Sequence, residues 1–407
     1  MRHPFSIRLY CPGLLNHFGG AEKYTSTLAQ FLADRFRDID LGFVVYDPPG
    51  SPGTSADADS EAIKKLNARY ALSLPAGIGI TRLKEEAPGF LGTWTAHRRL
   101  RATSKGVDLY INCFHNVHYF HGRKNVHVVH FPAAPRTIAS PTFAGKPWLA
   151  PLAAMLDARY RNCYDLFICN SAFTKSWLER YWAPGSGRTA VLHPPVAPER
   201  GGGNTPAAAG KENLILIVSR FDPRKKMKKL LRYFIDNHRR FPGWRLALAG
   251  AASPEDSALV DEMRRMAEGL PVEIHENIPK TALDGLYARA AIFWHGMGLG
   301  VDEQQNPLDV EHFGITTVEA MAAGAVPVVI DKGGQREIVD DGVNGYRWTD
   351  LEGLGNATET LAANPTLRRS LSEAAIRKSR DYSVERFRAQ ADALMTKFRL
   401  IPEDYRK

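Results

Sequence analysis

Cysteine is scarce in this sequence, with four residues in 407, and none stands in a Cys-x-x-Cys pair. Cys11, Cys113, Cys163 and Cys169 therefore read as small core residues of a reducing compartment, not as disulfide staples or zinc ligands. Long apolar runs are missing as well. The strongest, at 214–218 and 325–330, fall far short of the about 18 residues that mark a membrane-crossing helix. The apolar stretch at 5–15 is interrupted by Arg8, Pro12 and Gly13 and lacks a small-residue cleavage site, so no secretory signal is expected and the chain reads as cytoplasmic. With 44% apolar and 24% charged residues, the composition also excludes disorder, collagen and coiled coil, and suits a globular protein of two or three domains.

Charge is present but unevenly placed. Residues 1–200 hold 24 Lys and Arg against 15 Asp and Glu, whereas residues 201–407 hold 29 of each, so the whole net charge of +9 lies in the first half. Arg98, Arg99, Arg101, Lys105, Arg123 and Lys124 crowd into one short span of it. Such a half suits an anionic membrane surface or a phosphorylated substrate, or merely a soluble basic surface. No nucleic-acid reader accompanies it, so no nucleic-acid partner is expected.

The stretch 196–213, with Gly201-Gly202-Gly203, Pro206 and Gly210, cannot build a core and divides the chain. On each side, short β-rich runs alternate with helical segments, which predicts an α/β fold with mostly parallel sheets. Strands are expected at 5–10, 41–46, 107–112, 125–130, 166–169 and 189–193, with helices at 21–36 and 172–181 and a mobile loop at 48–60. Beyond the divide, strands are expected at 214–218, 245–249, 272–275, 291–294 and 326–330, and helices at 226–238, 254–268, 282–289 and 316–323. The arrangement expected is two doubly wound Rossmann-like domains facing across a cleft, at 1–200 and 213–383, joined by a linker at 201–212. A last helix at 384–398, apolar at Phe387, Ala391, Leu394 and Phe398, needs a surface to cover and is expected to pack back on the first domain.

The chemistry concentrates around residues 311–329. Gly314 precedes a helix whose first turn holds Thr316 and Thr317, so free backbone N–H groups and a positive helix end form an anion site. Glu319, one turn in, can accept hydrogen bonds from the vicinal hydroxyls of a ribose, and Glu311 can meet sugar hydroxyls from the other side. Gly19-Gly20, after the first strand, permits either a tight turn or close approach of backbone to a bound group.

Glu311 and Glu319 enclose a Phe-Gly-Ile, and Glu-Ala-Met-Ala-Ala-Gly follows; together these resemble the signature of the retaining GT-B glycosyltransferases of family 4, the group 1 glycosyl transferases. Gly19-Gly20-Ala21-Glu22, Asn170-Ser171-Ala172-Phe173-Thr174, His193-Pro194-Pro195-Val196, Ser219-Arg220 through Lys225 and Gly333-Gly334 with Glu337 resemble further motifs in that family's order. The resemblance implies a metal-independent, cofactor-free transferase that moves a sugar from a nucleoside-diphosphate donor. It places the donor mainly on the second domain, against His312, Phe313, Gly314, Ile315, Thr316 and Glu319. It assigns catalysis to Arg220, Lys225, Glu311 and His130, the last touching the transferred sugar, with Gly19 and Gly20 near the donor phosphate and acceptor. Arg220 and Lys225 are suited to the negative charge that develops on a departing diphosphate, with Lys226 as the alternative lysine. The Glu-His-Phe-Gly-Ile form is similar to mannosyltransferases that use GDP-mannose. The acceptor implied is a glycan or a lipid-linked glycan of polysaccharide or glycoconjugate synthesis, which would place the enzyme peripherally on the inner membrane face. A related epimerase, a phosphorylase or a non-catalytic sugar-nucleotide-binding protein stay open. One departure from the family pattern is the glycine-rich, polar stretch 295–310, which reads as a flexible loop.

Overall fold

The β-rich runs and amphipathic segments assemble into two α/β units in the computed structural model, which describes residues 3–16, 19–47, 56–84, 90–114, 118–135, 147–196 and 210–407. The first unit takes the chain to Pro195 and regains it at Phe387–Lys407, and the second is Val196–Arg386.

In the first unit, β1 (Phe5–Tyr10), β2 (Ile39–Asp47), β3 (Gly79–Lys84), β4 (Leu109–Asn112), β5 (Lys124–Val129), β6 (Leu166–Cys169) and β7 (Thr189–Val191) form one sheet in the order β3-β2-β1-β4-β5-β6-β7. Every pairing is parallel. Its helices are α1 (Gly20–Arg35), α2 (Ala56–Tyr70), α3 (Phe90–Ala102), α4 (Ala150–Cys163) and α5 (Ala172–Trp182). Both sheet faces are covered, as all-parallel sheets require. Ile7 and Leu9 of β1 pack with Leu28 and Leu32 of α1 on one side, while Tyr10 packs with Tyr110, Phe120 and Tyr164 on the other.

The second unit carries β8 (Glu212–Val218), β9 (Arg245–Gly250), β10 (Val272–Glu276), β11 (Ala290–His295), β12 (Val326–Ile330) and β13 (Tyr346–Trp348) in the parallel order β10-β9-β8-β11-β12-β13. Its helices are α6 (Met227–Asn237), α7 (Ser257–Ala267), α8 (Lys280–Arg289), α9 (Ile315–Ala322), α10 (Gln335–Ile338), α11 (Leu351–Ala363) and α12 (Pro365–Ser379). Both orders are those of doubly wound nucleotide-binding sheets. The winding reverses beside β1 in one unit and beside β8 in the other, which opens a crevice at the carboxyl ends of β1 and β4 and of β8 and β11.

The last helix, α13 (Val384–Lys397), lays Phe387, Ala391 and Met395 into the first unit's core, with the Phe387 ring edge-on to Tyr24 at 5.2 Å. Asp392 binds Arg35 of α1 at 3.1 Å, so this helix is fastened by charge at its rim as well as by apolar burial.

Several expected boundaries need correction. The loop expected at 48–60 falls partly outside the described residues, and from Ala56 onward the chain is already helical, its first turn carrying Asp57 and Asp59 at the positive helix end. Beyond the expected helices the structure adds α2 to α4 in the first unit and α10 to α12 in the second; α4 buries only Ala153 and Tyr160, too few side chains to stamp a 3.6-residue pattern. Likewise β3 is an edge strand with no fully buried residue, and β13 is three residues long. The linker expected at 201–212 lies outside the described residues as far as 209, and Glu212 already begins β8.

Candidate functional site

The two motif loops of the second unit leave the carboxyl ends of β8 and β11, the neighbours between which its winding reverses. After β8, Phe221 is fully buried and anchors the loop. Asp222 caps the following turn by accepting from the Arg224 N–H at 2.8 Å and gripping the Arg224 guanidinium at 2.8 Å. That bidentate bond is the first reason the Asp222 carboxyl titrates below its usual range. Arg220 is left pointing outward, its side chain 68% exposed and 3.9 Å from Asp222.

Lys225 turns inward. Its Nζ donates to Glu311 Oε2 at 2.8 Å and lies 3.1 Å from Met297 Sδ. His295, the last residue of β11, places Nε2 3.2 Å from the same carboxylate oxygen. Burial pushes the Glu311 carboxyl up, but the Lys225 ammonium and the bond to His295 outweigh it and hold the carboxyl well below its ordinary value. An ammonium has three donors, so Lys225 keeps one for a ligand. Lys226 has φ +61 and serves as the backbone cap that starts α6. His312 is pushed down to about 4, chiefly by burial, and is neutral at physiological pH.

Gly314 has φ +118, a left-handed conformation that disfavours side chains, and turns the chain into α9 so that Ile315 and Thr316 open the helix. Glu319, one turn on, accepts from the Tyr287 hydroxyl at 3.1 Å, which fixes its carboxylate. The Gly333-Gly334 pair turns out to be a packing device: a Cβ at Gly333 would lie 2.2 Å from the Glu311 carbonyl oxygen, and one at Gly334 2.4 Å from that of His312. The Gly334 N–H donates to the Glu311 carbonyl at 2.8 Å, so this loop clamps the backbone at 311–313. Because Gly334 has an ordinary φ of −68, space alone excludes a side chain there. Gly334→Ala is expected to cost about 1–3 kcal/mol through overpacking, read as a lower denaturation midpoint with unchanged slope.

The stretch 295–310, expected to be flexible, is instead pinned. Its turns close through Leu299 N to Gly296 O at 3.0 Å and Asn306 N to Asp302 O at 2.8 Å. Lys332 donates to the Gly298 carbonyl at 3.1 Å, and Glu303 accepts from Gly333 at 3.2 Å and from Arg336 at 2.6 Å. Glycine content alone overstated mobility because the partners lie in the later loop. His295 and Met297 are contacts that sequence reasoning did not assign; the signal was the histidine at the end of an apolar strand.

In the first unit, Gly19 is the residue before α1, and its N–H donates to Glu22 Oε2 at 3.0 Å, with Gly20 opening the helix. His130 follows the end of β5, its ring edge-on to Tyr24 at 5.6 Å, while its carbonyl accepts from Thr174 Oγ1 at 3.2 Å. Of the neighbouring histidines, His127 is a core residue held between the Tyr160 hydroxyl and the Phe114 carbonyl, both at 2.9 Å. His115 lies outside the described residues. The structure thus gathers Arg220, Lys225, Lys226, Glu311 to Thr316 and Glu319 at one end of the second sheet, and Gly19, Gly20 and His130 at the strand ends of the first.

Residues 18–200 match the model of Glycosyltransferase Family 4, and residues 204–378 match that of Glycosyl transferases group 1. A GDP-mannose-dependent alpha-(1-6)-phosphatidylinositol monomannoside mannosyltransferase of Mycolicibacterium smegmatis is 30% identical over 232 residues, 53% of this chain and 58% of that protein. A human GDP-Man:Man(3)GlcNAc(2)-PP-Dol alpha-1,2-mannosyltransferase is 29% identical over 265 residues, 59% of this chain and 49% of that one. The chain therefore matches between about a third and three-fifths of the length of its curated relatives. Among solved structures, Anabaena HepE in complex with UDP superposes with a TM-score of 0.68 at 17% identity over 96% of this chain and 99% of its own. Sucrose-phosphate synthase from Thermosynechococcus elongatus also gives 0.68, at 17% identity over 96% and 98%. With both family models matched in chain order and both sheets wound as such folds require, the chain belongs to glycosyltransferase family 4 and has the GT-B fold.

Proposed function

We propose that this chain is a retaining glycosyltransferase that takes a sugar from a nucleoside-diphosphate donor and passes it to a glycan or lipid-linked glycan. The observation that carries the reading is the set at the reversal point of the second sheet: exposed Arg220, the Lys225–Glu311 pair, the open end of α9, and Glu319 one turn along it. Departure of a diphosphate leaves positive charge at the anomeric carbon and negative charge on phosphate. Arg220 and the third N–H of Lys225 stabilise the leaving phosphate, the α9 backbone N–H groups add a fixed positive field, and Glu319 takes the ribose hydroxyls. Glu311, His312 and Gly314 to Thr316 line the sugar and phosphate side, whereas the Phe313 ring is a core residue packed on Tyr382 at 5.3 Å. We assign the first unit, with Gly19, Gly20 and His130, to the acceptor and the second unit to the donor. No side chain is cast as a covalent nucleophile; the leaving phosphate assists deprotonation of the acceptor, as the family resemblance implies.

GDP-mannose is the donor we favour, supported by the names of the curated relatives and by the Glu-His-Phe-Gly-Ile sequence. Their names, which print phosphatidylinositol monomannoside and Man(3)GlcNAc(2)-PP-Dol, support a lipid-linked acceptor. A UDP-sugar is the second reading, because the HepE structures hold UDP and UDP-glucose. A cytoplasmic protein working at a membrane face fits either donor, and among the described residues no helix is long and apolar enough to cross a bilayer.

A panel of nucleotide sugars tested by thermal shift and by donor hydrolysis decides the donor. A cognate donor at about 100 times its Kd should stabilise by about 2.7 kcal/mol, and non-cognate donors should not. EDTA is expected to leave turnover unchanged; a strict divalent-metal requirement would overturn the proposed handling of the phosphate. A donor that is bound and never cleaved would favour a binding protein, and C2 inversion of the bound sugar an epimerase.

A further inference from the structure

Among the described residues only five large apolar side chains are strongly exposed, and three of them stand on one helical stripe. Trp148 is 71% exposed, Leu152 44% and Met155 43%. Trp148 lies in the 3-10 turn Pro147–Leu149 that leads directly into α4, and the spacing 148, 152, 155 is i, i+4, i+7, a single face. The other two, Leu308 and Val343, stand singly on the second unit and need no explanation. The opposite side of α4 is what holds it: Ala153 and Tyr160 are buried, Tyr160 within the aromatic core beneath the sheet. The helix is therefore fastened along one line and offers apolar side chains along another.

One turn beyond Met155 the same stripe carries Arg159. Its guanidinium lies 5.8 Å from the centre of the Tyr119 ring, which Arg101 of α3 covers at 4.7 Å while also bonding the Tyr119 hydroxyl. Tyr119 thus ties the basic end of the stripe to α3, where Arg98 and Arg99 are exposed. From residue 90 to residue 105 the chain has three Arg and one Lys and no Asp or Glu.

We propose that this face of the first unit docks on an anionic lipid bilayer, with Trp148, Leu152 and Met155 inserted at the headgroup boundary and the arginines of α3 and α4 against lipid phosphates. A tryptophan and two unbranched or γ-branched apolar side chains exposed along a helix that is buried only at Ala153 and Tyr160 suit an interfacial site. Each basic residue close to the surface adds about 1 kcal/mol within a Debye length, so the arginine cluster favours anionic over zwitterionic lipid. The inference extends the acceptor side of the proposed function, because a lipid-linked acceptor is presented at such a surface, but it does not depend on the donor chemistry.

The test is flotation of the full chain with vesicles of phosphatidylcholine alone and of phosphatidylcholine with phosphatidylglycerol, across a salt series. Wild-type protein should float with the anionic vesicles at low salt and lose binding as salt rises. The triple variant Trp148→Ser, Leu152→Ser, Met155→Ser and the double variant Arg98→Glu, Arg99→Glu should each bind about tenfold or more weakly. Hydrolysis of the donor without vesicles reads the proposed function separately and should be the same in all three proteins. Equal flotation of the triple variant, or no dependence on anionic lipid, would overturn the proposal. So would self-association of the wild type that the triple variant abolishes while neither protein floats, which would mark the stripe as a protein interface.

Discussion

Arg220→Ala is expected to lower turnover by about 100- to 1,000-fold, the usual result of removing one preorganised group that meets charge in the transition state. The side chain is 68% exposed and its nearest carboxylate oxygen, that of Asp222, is 3.9 Å away. Folding therefore owes it little, and stability should stay within about 0.5 kcal/mol of wild type. The Asp222 bond to Arg224 keeps the loop shape in the variant. Because the charge it meets grows as the diphosphate leaves, the loss should fall on kcat more than on KM. Glu319→Ala acts on the other parameter: it removes the acceptor for ribose hydroxyls, which are bound equally before and during reaction, and should raise KM. Steady-state kinetics with purified protein separates the two, and an Arg220→Ala variant with near-wild-type turnover would reject the leaving-group role.

Lys225→Met should be damaging in two ways at once. It removes a cation from the phosphate site, for a further loss of about 100-fold or more in turnover. It also leaves the Glu311 carboxylate, whose side chain is only 20% exposed, with His295 as its remaining partner. Breaking a fully buried pair costs about 3–5 kcal/mol, and this partly solvated one should cost nearer 2–3 kcal/mol. The pH dependence tells whether the pair is the cause. Glu311 titrates below its unfolded value, so its contribution is complete above about pH 4.5 and is lost as pH falls through the folded value. His312 adds a second slope: its unfolded imidazole takes up a proton near 6.5 while the folded one is held off to about 4, so wild-type stability should decline as pH falls between those values. In Lys225→Met, burial raises the Glu311 carboxyl against one opponent fewer, and the carboxylate protonates at higher pH. Urea denaturation from about pH 7.5 down past pH 4 meets the His312 slope first and the Glu311 slope below about pH 4.5. Adding Glu311→Gln to Lys225→Met should restore much of the stability and none of the activity; a Lys225→Met variant as stable as wild type would show that the pair is not holding the loop.

Much of the site could be read from sequence because its residues sit within short spans. The Phe-Gly-Ile turn, the first turn of α9 and Glu319 lie within nine residues of Glu311, where one helical turn and one left-handed glycine dictate the geometry. The contacts that tune those residues were not legible. Lys225 and Glu311 are 86 positions apart, and Glu319 reaches Tyr287 across 32. Similarly, no property of the 295–310 stretch by itself announces that Lys332, Gly333 and Arg336 hold it in place. The helix α4 escaped for the converse reason. It buries so little that its apolar spacing carries a weak period, and its exposed stripe resembles a core face until the buried side is known.

What the sequence determined by itself is local: the alternation of strand and helix, the glycine and charged residues at strand ends, the division near residue 200 and the concentration of positive charge in the first half. These follow from backbone sterics, helix-end dipoles and periodic burial, which act over a few residues at a time. Tertiary structure alone decided the strand order, which sets β8 beside β11 and so brings two loops some 80 residues apart to one end of one sheet. It also decided which lysine meets Glu311, why Gly334 tolerates no side chain, and which face of α4 is left in solvent. Each depends on the distance between groups far apart in the chain, and only the packing of the whole unit fixes those distances.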